Sequence, residues 1–301
     1  MNIIILGSTG QVGGMLIDEL KSYPEHTVKS VGRASADLIW GDGLLDTLEQ
    51  LVITEQPDIV INAIAYTAVD KAESEQEQAF ALNSDLPARL ADICQRNSAL
   101  LIHYSTDFVF DGLKAEPWQE WDDTNPLSAY GKSKLAGEKA IQMTQASAVI
   151  LRTSWVYGET GNNFVKTMIR LGKERDTLGV VADQAGCPTY SRDIAKATIA
   201  IIDCYIKDST QFNNIQNLCH LSGNGSTTWH GFAEAIFAGA AKHEALAIKN
   251  LNAITTEDYP TPAIRPANSV LNCDKLKTDF GVSMPDWQTS LTECLERLYQ
   301  S

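Results

Sequence analysis

The sequence predicts an α/β protein: a doubly wound parallel sheet followed by a smaller carboxyl-terminal lobe. Three observations carry this. Candidate strands recur through the first half, at residues 2–6, 28–31, 58–63, 99–106 and 149–151, and most are built on a short apolar run. Segments with helical spacing of apolar residues separate them. A glycine-rich turn, Gly7-Ser8-Thr9-Gly10-Gln11-Val12-Gly13, directly follows the first run. Runs that are apolar without alternation fit strands covered on both faces, and their alternation with helices gives βαβ units.

The first element explains the others. After the strand at 2–6 and the glycine turn, Val12, Met15, Leu16, Ile17 and Leu20 recur with helical spacing. Strand, glycine turn and helix in this order form the context of a Rossmann-type dinucleotide site. Gly7 permits the tight turn, Gly10 lets backbone approach a pyrophosphate, and Gly13 lets the helix pack close to the strand. The helix amino-terminus then stabilises the negative charge.

The second strand, 28–31, ends at Gly32-Arg33. An NAD site usually carries an acidic residue there for the ribose 2′-hydroxyl. Here no carboxylate repels a 2′-phosphate, and Arg33 either pairs with one or points into water. NADPH is expected, with NADH possible. The third strand, 58–63, ends in small residues, Ala63 and Ala65, over which a cofactor passes where strand order reverses. Asn83 interrupts the following helical pattern and either hydrogen-bonds backbone or faces solvent. Glu73, Glu75 and Glu77 read as a solvated helix face.

The strand at 99–106 delivers Ser105, Thr106 and Asp107 at its carboxyl end. Pro126 and Ser128 then open a helix over 129–141. Tyr130 and Lys134 are four apart and share one face of it. A free phenol ionises near pH ~10. A neighbouring ammonium favours the phenolate and lowers that value, so Tyr130 becomes a usable acid near neutral pH. The same ammonium can hold nicotinamide ribose hydroxyls. Tyr-x-x-x-Lys alone recurs by chance. After Thr106 and a glycine turn, it points to reduction of a carbonyl.

On these motifs the chain resembles the extended short-chain dehydrogenase/reductase family. The matching segments include Thr67-Ala68-Val69-Asp70-Lys71-Ala72-Glu73, Tyr104-Ser105-Thr106-Asp107-Phe108 and Tyr130-Gly131-Lys132-Ser133-Lys134. Arg152-Thr153-Ser154-Trp155, Gly161-Asn162-Asn163-Phe164 and Arg265-Pro266-Ala267-Asn268-Ser269 extend the match towards the carboxyl end. The resemblance implies that Thr106, Tyr130 and Lys134 are the catalytic trio. It implies that Gly10, Gln11, Val12, Asp42, Ala65, Tyr66 and Thr67 line the cofactor, and that Asp107 and Trp155 contact a nucleotide sugar. Asn163 and Arg265 join the expected substrate residues. Trp155 and Trp229 either stack on the base or belong to the core, and Arg265 holds a diphosphate or makes a surface ion pair. Some members dimerise through magnesium held by carboxylates. Met15 and Arg192 stand where two of these are expected, so no metal is expected, and the chain reads as a monomer or homodimer.

The remaining bounds come from composition. The formal charge of −14 argues against a nucleic-acid partner. The six cysteines are scattered, which suits reduced thiols in a cytoplasmic protein. No secretory leader or long apolar span is read, so no membrane partner is expected. The dinucleotide domain is expected over 1–157 and a substrate lobe over 158–301, with returns to the sheet, as near Cys219-His220-Leu221. The leading function is NAD(P)H-dependent reduction of a nucleotide-linked 4-keto sugar. The alternatives are a nucleotide-sugar epimerase or dehydratase of the same fold, or a non-catalytic NADP-binding regulatory subunit. A dehydratase needs a further acid and base, and no Glu follows Asp107.

Overall fold

The computed structural model describes residues 1–32, 43–212 and 216–300. In chain order the first half runs β1 (Asn2–Leu6), α1 (Gln11–Leu20), β2 (Thr27–Val31), α2 (Leu44–Glu55), β3 (Ile59–Asn62), α3 (Val69–Ala72), α4 (Gln76–Phe80), α5 (Leu86–Arg96), β4 (Leu100–Thr106), α6 (Ala129–Gln142) and β5 (Ala148–Thr153). The second half continues with β6 (Val156–Tyr157), α7 (Phe164–Glu174), β7 (Thr177–Val181), β8 (Ala185–Gly186), β9 (Thr189–Tyr190), α8 (Ser191–Lys207) and β10 (Gln216–His220). It closes with β11 (Thr227–Thr228), α9 (Trp229–Ala240), β12 (Asn250–Ile254), α10 (Asp274–Phe280) and α11 (Trp287–Gln300).

Six strands form a parallel sheet in the order β10-β5-β4-β3-β1-β2. Strand order reverses between β1 and β3, which opens a crevice at their carboxyl ends. Alternation along each strand divides the core into two layers. Ile3, Ile5, Ile61, Ile102 and Leu151 face α1 and α8, meeting Leu16, Ile194 and Ile201. Ile4, Leu6, Val60, Leu101 and Ile150 face the other side, meeting Leu48, Leu90 and Ile141 of α2, α5 and α6. Burial on both faces is why these strands read as continuous apolar runs.

A second core gathers Val165, Met168, Phe232, Ile236, Trp287 and Leu291 from α7, α9 and α11. Beside it β7 pairs with β12, β8 with β11, and β6 with β9. The chain crosses between the two cores more than once. α8 and α10 pack in the first, and β10 adds to the sheet edge by pairing with β5. No described helix is long and apolar enough to cross a membrane.

Candidate active site

The crevice begins at the glycine turn. Gly7 has φ +91°, and its N–H donates to the Val31 carbonyl at 2.8 Å. A Cβ at Gly7 would lie 2.7 Å from the Ala63 carbonyl group, so only glycine fits where β1 passes β3. A Cβ at Gly13 would strike the Gly7 carbonyl oxygen. Gly10 caps α1 without a side-chain acceptor. The first-turn amides of α1, including those of Gln11, Val12 and Gly13, therefore have no side-chain cap and can take an anionic group. These residues fit a dinucleotide pyrophosphate. Gly32 lies against the same turn, where a Cβ would meet the Ser8 hydroxyl, so a larger side chain at this position requires Ser8 to shift. Arg33 and Asp42 lie outside the described residues.

Ala63, Ala65, Tyr66 and Thr67 follow β3 along the crevice. Asn83 fixes them. It is fully buried in a single π-helical turn, Ala81–Asp85, between α4 and α5. Its side chain accepts from the Tyr66 N–H at 2.8 Å and donates to the Tyr66 carbonyl and to Ser133 Oγ of α6, each at 3.0 Å. One amide thus ties this wall of the crevice to the helix that bears Tyr130. The acidic residues nearby correct the expectation of a solvated face. Glu73 accepts the Ala129 N–H at 2.8 Å, at the start of α6, and Glu75 accepts the Tyr66 hydroxyl. Of the three, only Glu77 is exposed. Helix α6 carries unsatisfied amides at its start, and Glu73 and the Ser128 cap supply acceptors there.

Strand alternation sorts the residues at the end of β4. Ser105 turns away from the crevice and donates to Glu138 Oε1 at 2.5 Å. Glu138 also takes two hydrogen bonds from Arg152, at 2.9 and 2.7 Å, in a pair whose side chains are 2% and 3% exposed. The Arg152 guanidinium stacks over the Phe110 ring at 5.0 Å. Ser105 is therefore engaged, and Thr106 is the hydroxyl left facing Tyr130. Thr106 Oγ1 accepts the Phe108 N–H at 3.2 Å, lies 2.9 Å from Asp107 Oδ1, and hydrogen-bonds the Tyr130 hydroxyl. Asp107 is 2% exposed, and its second oxygen accepts from Ser154 at 2.9 Å.

Electrostatics correct one expectation. Burial pushes the Tyr130 phenol up to about 12; the Thr106 hydrogen bond opposes this and the Asp107 charge adds to it. The Lys134 ammonium does not lower it, because Nζ is turned to the Tyr104 carbonyl at 2.6 Å and lies 3.4 Å from His103 Nε2. Burial brings Lys134 itself down to about 8, against the opposing charge of Glu138. Burial, and then the Lys134 charge, hold His103 well below its usual value, so it is a neutral second wall for the lysine.

Towards the second core, Trp155 adopts φ +45° and stacks on Trp229 with ring centroids 3.5 Å apart. Gly186 leaves the room that the Trp155 ring fills. The two indoles face each other, so each has one face taken. Next to Trp229 lies a cavity of about 680 Å³ lined by Phe164, Arg175, Gln184, Tyr259 and Arg265, among others. Arg265 pairs with Asp70 at 2.9 Å. Asn163, one of the expected substrate residues, makes contacts within the protein. Its side chain caps α7 by accepting from Lys166 N at 3.1 Å and donates to Gln11 Oε1 at 3.0 Å. It thereby joins α7 to the glycine turn. Sequence reading missed Arg175, Gln184 and Tyr259. They carry no motif and meet only through the fold of α7, β7 and the segment after β12. The Asp70 partner had a signal, since it stands in a matching segment.

Among the described residues no three His, Cys, Asp or Glu side chains could together hold a metal ion. Arg192 pairs instead with Asp18 at 3.2 Å, with Glu159 at 3.4 Å and with Glu19. Met15 is buried in the sheet core.

This arrangement has known counterparts. The family described as RmlD substrate binding domain matches residues 1–300. A dTDP-4-dehydrorhamnose reductase of Salmonella typhimurium is 42% identical over 99% of this chain and 98% of its own length. The chain belongs to the dTDP-4-dehydrorhamnose reductase family. It is therefore an oxidoreductase on a Rossmann fold, as the glycine turn and the parallel sheet predict. The crystal structure of a dTDP-4-dehydrorhamnose reductase from Clostridium acetobutylicum superposes with a TM-score of 0.88 at 36% identity, covering 99% of both chains. That from Bacillus anthracis, solved in complex with NADP, gives 0.87 at 34% identity, covering 98% of this chain and 99% of that one. A UDP-glucuronic acid 4-epimerase from Bacillus cereus, at 21% identity and a TM-score of 0.78, shares the fold.

Proposed function

We propose that this chain reduces the C4 ketone of dTDP-4-dehydro-L-rhamnose to dTDP-L-rhamnose, with NADPH as the preferred reductant. The observation that carries the reading is the hydrogen-bonded set Tyr130–Thr106–Asp107, set between a glycine-turn anion seat and the arginine-lined cavity beside Trp229. The NADP complex of the Bacillus anthracis relative supports the cofactor. Bound along the crevice, reduced nicotinamide supplies the hydride to C4. Thr106 and Tyr130 present hydroxyls to the ketone oxygen, and Tyr130 gives its proton as negative charge develops there. A phenol whose value is near 12 keeps its proton at neutral pH, so the acid is fully loaded before reaction. Arg265 and Arg175 supply guanidinium groups for the diphosphate, and Phe164 and Tyr259 offer aromatic surface to the base. Asp70 holds Arg265 in the meantime. On this reading the cofactor residues precede residue 157 and the lining of the cavity beside Trp229 follows it.

Incubation with NADPH and dTDP-4-dehydro-L-rhamnose tests this. One NADPH consumed per sugar reduced is expected. An epimerase or dehydratase would recycle the cofactor, and a regulatory subunit would leave it unchanged. Either outcome overturns the reading.

Lys134 is assigned to the nicotinamide ribose hydroxyls. Its ammonium is present below about pH 8 and lost above it. NADPH affinity should therefore weaken as pH rises through that value. Lys134→Met should lose on the order of tenfold or more at neutral pH, the worth of a charge-assisted hydrogen bond. Fluorescence titration at both pH values measures this, and wild-type affinity in the variant would remove the role. Arg33 is assigned to the 2′-phosphate. Arg33→Ala should cost on the order of tenfold in kcat/KM for NADPH and little for NADH. Equal losses for the two cofactors would contradict the assignment.

A further inference from the structure

Thr106 has a single hydroxyl hydrogen and two lone pairs, and three neighbours compete for them. The Phe108 N–H takes one lone pair at 3.2 Å. The remaining bonds are to Asp107 Oδ1, at 2.9 Å, and to Tyr130. We infer that Asp107 is a positioning residue for the proposed reduction: its carboxyl must carry a proton for the Thr106 and Tyr130 hydroxyls to point at the ketone. The inference rests on the function proposed above.

The number of donors around Thr106 fixes the direction of each bond. An ionised carboxylate only accepts. Thr106 must then give its hydrogen to Asp107, and its second lone pair takes the Tyr130 O–H. Both catalytic hydrogens point away from the substrate. A protonated Asp107 instead donates to Thr106 and fills that second lone pair. The Thr106 hydrogen is released, and Tyr130 loses its acceptor within the protein. Both hydroxyls are then free to donate to the same ketone oxygen. The proton on Asp107 does not itself move to the product. It sets the direction of two hydrogen bonds that do the chemistry.

The surroundings favour such a switch near neutral pH. Asp107 is buried, and its other oxygen is held by Ser154 at 2.9 Å, with Ser269 also hydrogen-bonded. Burial raises its carboxyl to about 6, against the opposing effect of these three hydroxyls. The titratable groups facing it are Tyr130 of α6 and the Cys187 thiol between β8 and β9. Both feel its negative charge as an increase in their own values. Substrate binding removes further water and shifts the carboxyl in the same upward direction.

The test is the pH dependence of the chemical step. Single-turnover oxidation of NADPH by dTDP-4-dehydro-L-rhamnose is followed from about pH 5 to about pH 9 in the wild type and in Asp107→Asn. The asparagine amide donates to Thr106 at every pH. The wild-type rate should fall about tenfold per pH unit above the Asp107 value, and this limb should be missing in Asp107→Asn. A role confined to gripping the sugar would raise KM in the variant and leave the limb in place, which overturns the inference. A flat wild-type profile overturns it as well. Infrared difference spectra of the free protein give a readout independent of turnover. A protonated-carboxyl band lost as pH rises through about 6, and absent from Asp107→Asn, is expected. No such band at about pH 5 overturns the inference even if the enzyme is active. Absence of NADPH oxidation by the wild type at every pH would instead refute the proposed function.

Discussion

Tyr130→Phe is expected to lower kcat by about 10²–10⁴-fold while NADPH still binds, because phenylalanine keeps the ring and removes the proposed proton donor. The ring sits edge-on to Phe108 with centroids 5.6 Å apart, a contact that phenylalanine preserves. The hydroxyl has no such substitute. Without it the Thr106 hydroxyl can still donate a hydrogen bond to the ketone oxygen, but an aliphatic alcohol is too weak an acid to give up its proton. Single-turnover kinetics with a parallel cofactor titration separate chemistry from binding. A rate within about threefold of wild type would take Tyr130 out of the mechanism. Loss of cofactor affinity equal to the loss of rate would mean that the substitution had disturbed α6.

Arg152→Ala should be the most destabilising single change near the site, by about 3–5 kcal/mol. The reason is the partner left behind. Glu138 is 2% exposed and takes two hydrogen bonds from Arg152, with Ser105 as its other donor. Removing the guanidinium strands a carboxylate between β4, β5 and α6, and removes the group that stacks on Phe110. Because native domains are stable by only about 5–15 kcal/mol, such a loss is a large fraction of the total. Urea unfolding measures it. The double variant Glu138→Gln with Arg152→Met, which leaves no buried charge, should recover much of the stability. A cost below about 1 kcal/mol for Arg152→Ala would show that water reaches Glu138 and that the pair is not buried in solution.

The parts of this molecule that were legible in the sequence are those written in local pattern. The strand at 2–6, the glycine turn and the helix behind it lie where the apolar spacing puts them, because each is decided within about ten residues. The helix expected over 129–141 is α6, with Ser128 as its cap. The return near Cys219 is β10 beside β5. What stayed hidden was the choice of side-chain partner over long separations. Glu73 looked like solvated surface because nothing nearby in sequence says that the start of α6 lies against it. Ser105 and Thr106 are adjacent hydroxyls, and strand alternation alone sends one to Glu138 and the other to Tyr130. Lys134 shares a helical face with Tyr130, as its spacing requires. Its Nζ nevertheless turns to the Tyr104 carbonyl, an acceptor that the helical pattern could not reveal. The cavity-lining Arg175, Gln184 and Tyr259 meet only once the second core has formed.

On the proposed function this crevice moves a hydride to C4 of a nucleotide-linked sugar, and Tyr130 supplies the proton. This is tested most directly with NADPH carrying deuterium at the transferring position of the nicotinamide. The expected product is dTDP-L-rhamnose with one deuterium at C4, with one cofactor oxidised per product and almost no label or product from Tyr130→Phe. Unlabelled product, or product formed with no net oxidation of the cofactor, would contradict it.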